Sequence, residues 1–392
     1  MKSIKCALGL VVILALVCLS ACSSDDDPVA APTPVVSTVL DTQAKIDAFG
    51  AEGRTIYADR LVIGVENQPN RSIVDLTPLR DLTIVGGLTI FYNDLLGELT
   101  GLHNLKAIGG EGLLITDNPK LTGTAALARV TAFGDSVIIR RNNLLADLTG
   151  LANLTKVDGD LIIENNANLL DIEGLGSLTS VSGDFIIRGN TRLETLAGLN
   201  DLTTIRGDFI IENNLGLRDI LELGLLRTIS GNFFIRSNSH LDLLRWTSLD
   251  VIGGDLIIHQ NSSLESVNLT PLRSIGGDFS IQASGMDRVS NSPASIGGDV
   301  AIVDNRWFED ISGLRDIGGT LLIQRNAGLS DLRSLEGLES IGGGLFLLDN
   351  PVLDGFCGLG LFMRGSGFNG TFAAVGNSVN PTIEEIKALD CP

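Results

Sequence analysis

The chain has 392 residues, of which 47 are acidic and 28 basic, for a formal net charge of −19. So acidic a surface excludes nucleic acid and anionic lipid headgroups as partners and favours cationic or neutral ones. Nothing in the sequence points to a nucleotide or another cofactor.

Lys2 and Lys5 precede an apolar run from Ala7 to Leu19. That run is too short to span a membrane and suits a signal peptide. It ends in "LSAC", Leu19–Cys22, which resembles the lipobox of bacterial lipoproteins. The resemblance implies cleavage after residue 21 and diacylglyceryl attachment to Cys22, with an ordinary secretory signal and a chance cysteine as the alternative. Ser23 in place of aspartate, followed by "SDDD", resembles the pattern of surface-exposed outer-membrane lipoproteins. The expected address is the outer membrane, lipid-anchored and facing the cell exterior. Residues 22–40 are polar, acidic and proline-containing without periodicity, and read as a tether. A short helix is expected over Asp41–Phe49, with Asp41 as its N-cap, covering the first coil of a repeat array.

From there to residue 350 the chain repeats. "GDLIIENN" (Gly159–Asn166), "GDFIIRGN" (Gly183–Asn190) and "GDFIIENN" (Gly207–Asn214) are three copies of one stretch. Their final asparagines belong to a ladder running from Asn93 to Asn350, with Ser284 as its one substitute. The spacing of about 24 residues falls within the range of leucine-rich and related solenoids. Each coil repeats its apolar positions, for example Leu193, Leu196, Leu199, Leu202, Ile205, Phe209 and Ile211. Spacings of three and then two describe a chain turning around an axis with one short strand per coil, not a long helix. Such coils bury their inward faces only by stacking, and the inward asparagine satisfies backbone groups of adjacent coils. Gly-Gly and Gly-Asp pairs before the strands are expected to supply positive-φ turns.

"GLGSLTSVSGDFIIRGN" and "GLNDLTTIRGDFIIENN" resemble the repeat of the receptor L-domain family. The resemblance covers roughly residues 60 to 350. It implies a mainly β fold, a right-handed parallel β-helix of about 12–13 leucine-rich-repeat-like coils with short helical caps at both ends. It does not imply receptor signalling, because the cysteine-rich modules of those receptors are missing.

Beyond residue 350 the repeat fades into a segment, 351–392, flanked by Cys357 and Cys391. Two cysteines left in an oxidising compartment imply a disulfide. "NPTIEEIKALDC" reads as a helix capped either by Asn380, with Pro381 first in the helix, or by a Thr382–Glu385 capping box. The segment is expected to close the last coil.

Few residues suggest chemistry. "GSGFNG", Gly365–Gly370, matches a dinucleotide fingerprint by letter but lacks the strand–turn–helix context that the chemistry needs. His103, His240 and His259 show no metal-ligand spacing. A column of acidic turn residues, read as Asp135, Asp160, Asp184, Asp208, Asn232, Asp255, Asp278 and Asp299, suggests local turn hydrogen bonding or weak calcium binding. The column Arg140, Glu164, Arg188, Glu212, Arg236, His259, Gln282 alternates in sign and reads as a register device.

One column defies two-sided alternation. Ile210 lies between inward Phe209 and Ile211, so it points outward, and its counterparts include Ile162, Ile186, Phe234 and Ile257. This strip either stabilises the sheet or forms a docking face, which Phe91, Tyr92 and Trp307 would extend. Trp246 falls near a core position and reads as packing. The resulting expectation is a non-enzymatic binding or adhesion module for an unidentified surface protein or glycan. The alternatives are a structural spacer in the envelope and a polysaccharide-acting β-helix enzyme.

Overall fold

The computed structural model describes residues 37–365 and 368–391, so the signal-peptide region, Cys22 and most of the tether lie outside the described residues. Those described form a parallel β-solenoid. One long sheet of 17 strands receives a strand from every coil. Strands such as Leu161–Glu164, Phe185–Arg188, Phe209–Glu212 and Phe233–Arg236 pair in parallel and in register, Phe185 opposite Phe209 and Phe209 opposite Phe233. A second sheet stacks nine two-residue strands, from Lys156–Val157 to Ser340–Ile341. The remaining side of most coils is a single 3-10 turn, such as Thr149–Leu151 or Glu173–Leu175. Between residues 243 and 311 a four-stranded sheet replaces it.

The interior is a continuous column of aliphatic and aromatic side chains. All seven apolar positions of the Asn190–Asn214 coil, from Leu193 to Ile211, are fully buried. Phe185, Phe209 and Phe233 stack face to face, with ring centroids 5.1 and 5.0 Å apart. Trp246, 2% exposed, packs 6.1 Å from Phe233.

The asparagines form a ladder inside this core. Asn214 Nδ2 donates to the Ile187 carbonyl of the preceding coil at 2.8 Å. Its Oδ1 accepts the Asn190 N–H at 3.1 Å, and its own N–H goes on to Asn238 Oδ1 at 3.0 Å. Each amide thus serves a bend where strand pairing leaves backbone groups without partners. The ladder outlasts the repeat: Asn350 donates to Asn377 Oδ1 and Asn377 to Asn380 Oδ1.

The turns differ from the sequence expectation. Most glycines before the strands have ordinary φ, and positive φ falls instead just after each strand, on residues such as Asp117 (φ 58°), Asn213 (φ 56°) and Arg325 (φ 52°). Glycine is needed before the strand for a different reason. A Cβ on Gly207 would collide with Asp184 Oδ1 and with the Gly183 backbone of the preceding coil. Close stacking of coils, and not backbone handedness, selects glycine there.

Both ends are covered. Ser37–Leu40, read from sequence as tether, forms a strand in parallel register with Arg60–Ile63. The first helix spans Gln43–Ala51 and buries Ile46 and Phe49; Thr42, not Asp41, caps it by accepting the Lys45 N–H. At the far end Phe372–Val375 adds a further strand to the long sheet. The helix Ile383–Ala388 starts with the Thr382–Glu385 capping box, while Asn380 ends the asparagine ladder. Cys357 and Cys391 are disulfide-bonded, with Cα atoms 5.6 Å apart, and Ile386 is buried against the open end of the core.

Candidate functional site

The outward face of the long sheet carries two side-chain columns, because each four-residue strand turns its second and fourth residues out. The second-position column runs in register through Ile162, Ile186, Ile210, Phe234 and Ile257. These side chains are half-buried by their neighbours along the column, and Ile257 is 9% exposed. The strip is therefore a flat apolar band, tightly packed edge to edge. Leu114 and Ile138 continue it toward the N-terminus, while Ser280 and Ala301 interrupt it beyond Ile257.

The fourth-position column borders the strip with charge. Arg188 sits between two carboxylates, 3.6 Å from Glu164 and 3.0 Å from Glu212. Alternation thus produces contact around Arg188. Arg236 does otherwise: its guanidinium lies 4.1 Å from the Phe234 ring centroid, covering the strip instead of pairing with Glu212. His259 follows Arg236 in register. Burial, with Arg236 beside it, pushes its pKa down to about 4, and its Nε2 lies 2.8 Å from Ser280 Oγ.

The aromatic residues expected to extend the strip lie elsewhere. Phe91 ends the strand Ile84–Phe91 opposite Thr116, which puts it in the charged column. Tyr92 occupies the positive-φ position and donates to Asn67 Oδ1 at 2.9 Å. Trp307, 57% exposed, stands at the corner after Asn305, beyond the strand Val300–Val303. Neither Phe91, Tyr92 nor Trp307 belongs to the Ile210 column.

The acidic turn column is a second ladder. Asp160 Oδ1 accepts the Asp184 N–H at 2.8 Å, Asp184 Oδ1 that of Asp208 at 2.8 Å, and Asp208 Oδ1 that of Asn232 at 2.7 Å. It starts at Ser136, whose Oγ accepts the Asp160 N–H at 3.0 Å, so Asp135 is one residue out of the column. These carboxylates are engaged in coil-to-coil bonding, as turn chemistry requires. Among the described residues no three His, Cys, Asp or Glu side chains gather as metal ligands. The "GSGFNG" stretch includes residues 366 and 367, which lie outside those described. A cavity of about 240 Å³ lies beside the disulfide, where Arg333, Glu336, Leu361 and Arg364 line it with charges of both signs.

Compared with protein-family models, curated proteins and solved structures, the chain gives no match.

Proposed function

We propose that the chain is a lipid-anchored protein of the outer membrane, facing outward, whose receptor L-domain-type solenoid is a non-enzymatic binding or adhesion module. The observation supporting this reading is the unbroken apolar register from Ile162 to Ile257 on the outside of the long sheet. Flat apolar bands bordered by charge suit docking, in which the band is desolvated and the border sets orientation. A surface protein with a complementary apolar face is the partner that this band fits.

Two substitutions divide the reading into its parts. Cys22→Ala should move the protein out of the membrane fraction, and a mutant that still partitions like wild type removes the anchor. Ile210→Asp should cost about 1 kcal/mol of fold stability. It should also weaken capture of a partner selected on the wild-type solenoid by about 2 kcal/mol or more, because a carboxylate must be desolvated mid-band. Glu173→Lys, on an exposed 3-10 turn away from the long sheet, is the control. Equal affinity for wild type and Ile210→Asp would leave the column as sheet packing only.

A further inference from the structure

A different side of the solenoid breaks the repeat in several ways at once. The corner between ladder residue and next inward residue is Asn305–Phe308, and it carries Trp307, 57% exposed. The corner before it, Ser284–Met286, contains only Gly285, and the one after, Asn326–Leu329, only Ala327 and Gly328. Gly328 closely abuts the Trp307 backbone: an added Cβ would lie 3.1 Å from its carbonyl carbon. Neither flanking corner carries a side chain larger than a methyl between its ladder residue and its inward residue. Arg306 holds its guanidinium over one face of the ring, 4.7 Å from the centroid, and the tryptophan stays 57% exposed beside it.

Beside this corner begins the outward face of the four-stranded sheet. Its in-register columns are Leu243, Ser266, Arg288, Asp310 and Arg245, Asn268, Ser290. Where the long sheet presents isoleucine, this one presents, after the exposed Leu243, hydroxyl, amide, guanidinium and carboxylate groups. Asn291 Nδ2 reaches Asn268 Oδ1 at 3.3 Å, and the Thr270 N–H reaches it at 3.0 Å, so the amide is held in place. Strands about 4.8 Å apart make the face a polar grid about 14 Å long, ending next to an open aromatic ring.

We infer that this corner is a second binding surface, whose ligand is a neutral polysaccharide. One sugar ring stacks its apolar C–H face on Trp307, and hydroxyls of adjoining rings bond to the grid. An indole offers an electron-rich face to weakly positive C–H groups, and planar polar side chains match vicinal hydroxyls. The charge of the neighbourhood selects against acidic glycans: Asp242, Glu265, Asp287 and Glu309 succeed one another along the row beside the grid, linked backbone to backbone. Arg245, Arg288 and Arg306 do not outnumber them, in a chain of net charge −19.

The chain's own tryptophans supply the test. There are two, and Trp246 is buried, so solvent-quenchable emission belongs to Trp307. The full chain is titrated with soluble β-glucan, mannan and galactan, and with polygalacturonate as the acidic contrast. At least one neutral polymer should shift Trp307 emission to the blue and shield it from acrylamide, while polygalacturonate should do neither. In affinity gels containing that polymer, Trp307→Ala should lose about tenfold or more in retention, with Trp307→Phe keeping part of it. Unaltered Trp246 emission reports that the variants are folded. No shielding by any neutral polymer, or full retention of Trp307→Ala, overturns the inference. Ile210→Asp should be retained like wild type. Retention lost with Ile210→Asp and kept with Trp307→Ala would place the glycan on the long-sheet strip, overturning this surface and leaving the proposed binding module standing.

Discussion

The coils from Asn142 to Asn238 and those from Asn238 to Asn326 solve the same stacking problem with different lengths. In the first set, ladder bonds join residues 24 apart. In the second the separation drops to 23 and then 21. Most of the missing residues come out of one side of the coil, and one comes out of the Ser284–Met286 corner. Glu173–Leu175 and Leu221–Leu223 are 3-10 turns, whereas Leu243–Arg245, Ser266–Asn268, Arg288–Ser290 and Asp310–Ile311 are extended. A 3-10 turn rises about 2.0 Å per residue and a strand about 3.3 Å, so an extended side crosses the same core with fewer residues. The aspartate ladder passes through both sets unaltered, with Asp278, Asp299 and Thr320 N–H groups bonded at 2.7–2.8 Å to the coil before. The aspartate column that joins coil to coil is therefore indifferent to what the third side does. That side is free to vary, and it is where Trp307 and the polar grid stand.

The largest effect should come from breaking the asparagine ladder where it is complete. Asn214→Ala leaves the Ile187 carbonyl and the Asn190 N–H without their partners in a dry core. Each orphaned group costs about 1–3 kcal/mol, so a loss of about 3 kcal/mol or more is expected in urea unfolding. Ser284→Ala, at the equivalent place in the shorter set, should cost about 1 kcal/mol, because only its bond to the Gln282 carbonyl disappears. Equal losses at the two sites would mean that the ladder contributes no more than local packing.

How far the fold can be read from sequence depends on which atoms carry the repeat. Inward residues are legible because burial demands an apolar side chain at every coil, and the outward Ile210 column follows once the strand is placed. The long-sheet register is legible for the same reason. The four-stranded sheet is not among the sequence expectations, although it leaves a trace. Inward residues run Leu217, Ile220, Leu223, Leu226 at threes in one coil, then Leu241, Leu244, Trp246, Leu249 in the next. The step of two from Leu244 to Trp246 is the strand signal. Backbone-determined features leave less: a positive φ on Asn213 or Arg325 has no residue preference as strong as glycine's, and those two residues differ in type. Trp307 is visible as an aromatic residue beside an inward one, but its corner can be told from the strip only when the strand's end at Val303 is known.

The border between the two sets is also where pH should act. Arg188 is flanked by carboxylates, but His259 is flanked by Arg236, and the folded protein keeps its imidazole neutral down to about pH 4. The unfolded chain takes up that proton near pH 6.5. Its folded pKa being the lower one, His259 contributes full stability above about pH 6.5, and that contribution drains away as pH falls toward 4. His259→Gln should flatten the decline in urea midpoint across this window. Asp117 and Asp304, held below the usual carboxylate range with Arg141 and Arg325 as hydrogen-bond partners, act only at lower pH and stay in both proteins. A decline of unchanged slope in the variant would assign the pH dependence to other groups.

The smallest effect tests whether the break at Ser284 is required by the shorter coils. Ser284 is buried at 4% exposure, and its N–H already bonds Asn305 Oδ1 at 3.0 Å. Its hydroxyl is directed to the Gln282 carbonyl within its own coil, so the Asn261 N–H loses the amide oxygen that every other rung receives. An asparagine at this position has its reach defined by its neighbours: Asn261 Nδ2 meets Ile235 O and Asn305 Nδ2 meets Ile281 O, which puts Ile258 O in the matching place. Ser284→Asn should therefore add an acceptor for Asn261 and a donor for Ile258 and raise stability by about 1 kcal/mol, read as a higher urea midpoint at unchanged slope. If the 21-residue coil has pulled the corner inward, the larger amide overpacks it and the midpoint falls instead. The first outcome makes the interruption a dispensable variation within a uniform ladder. The second ties it to the extended side, so that the same shortening that opens the corner at Trp307 also costs the core one rung.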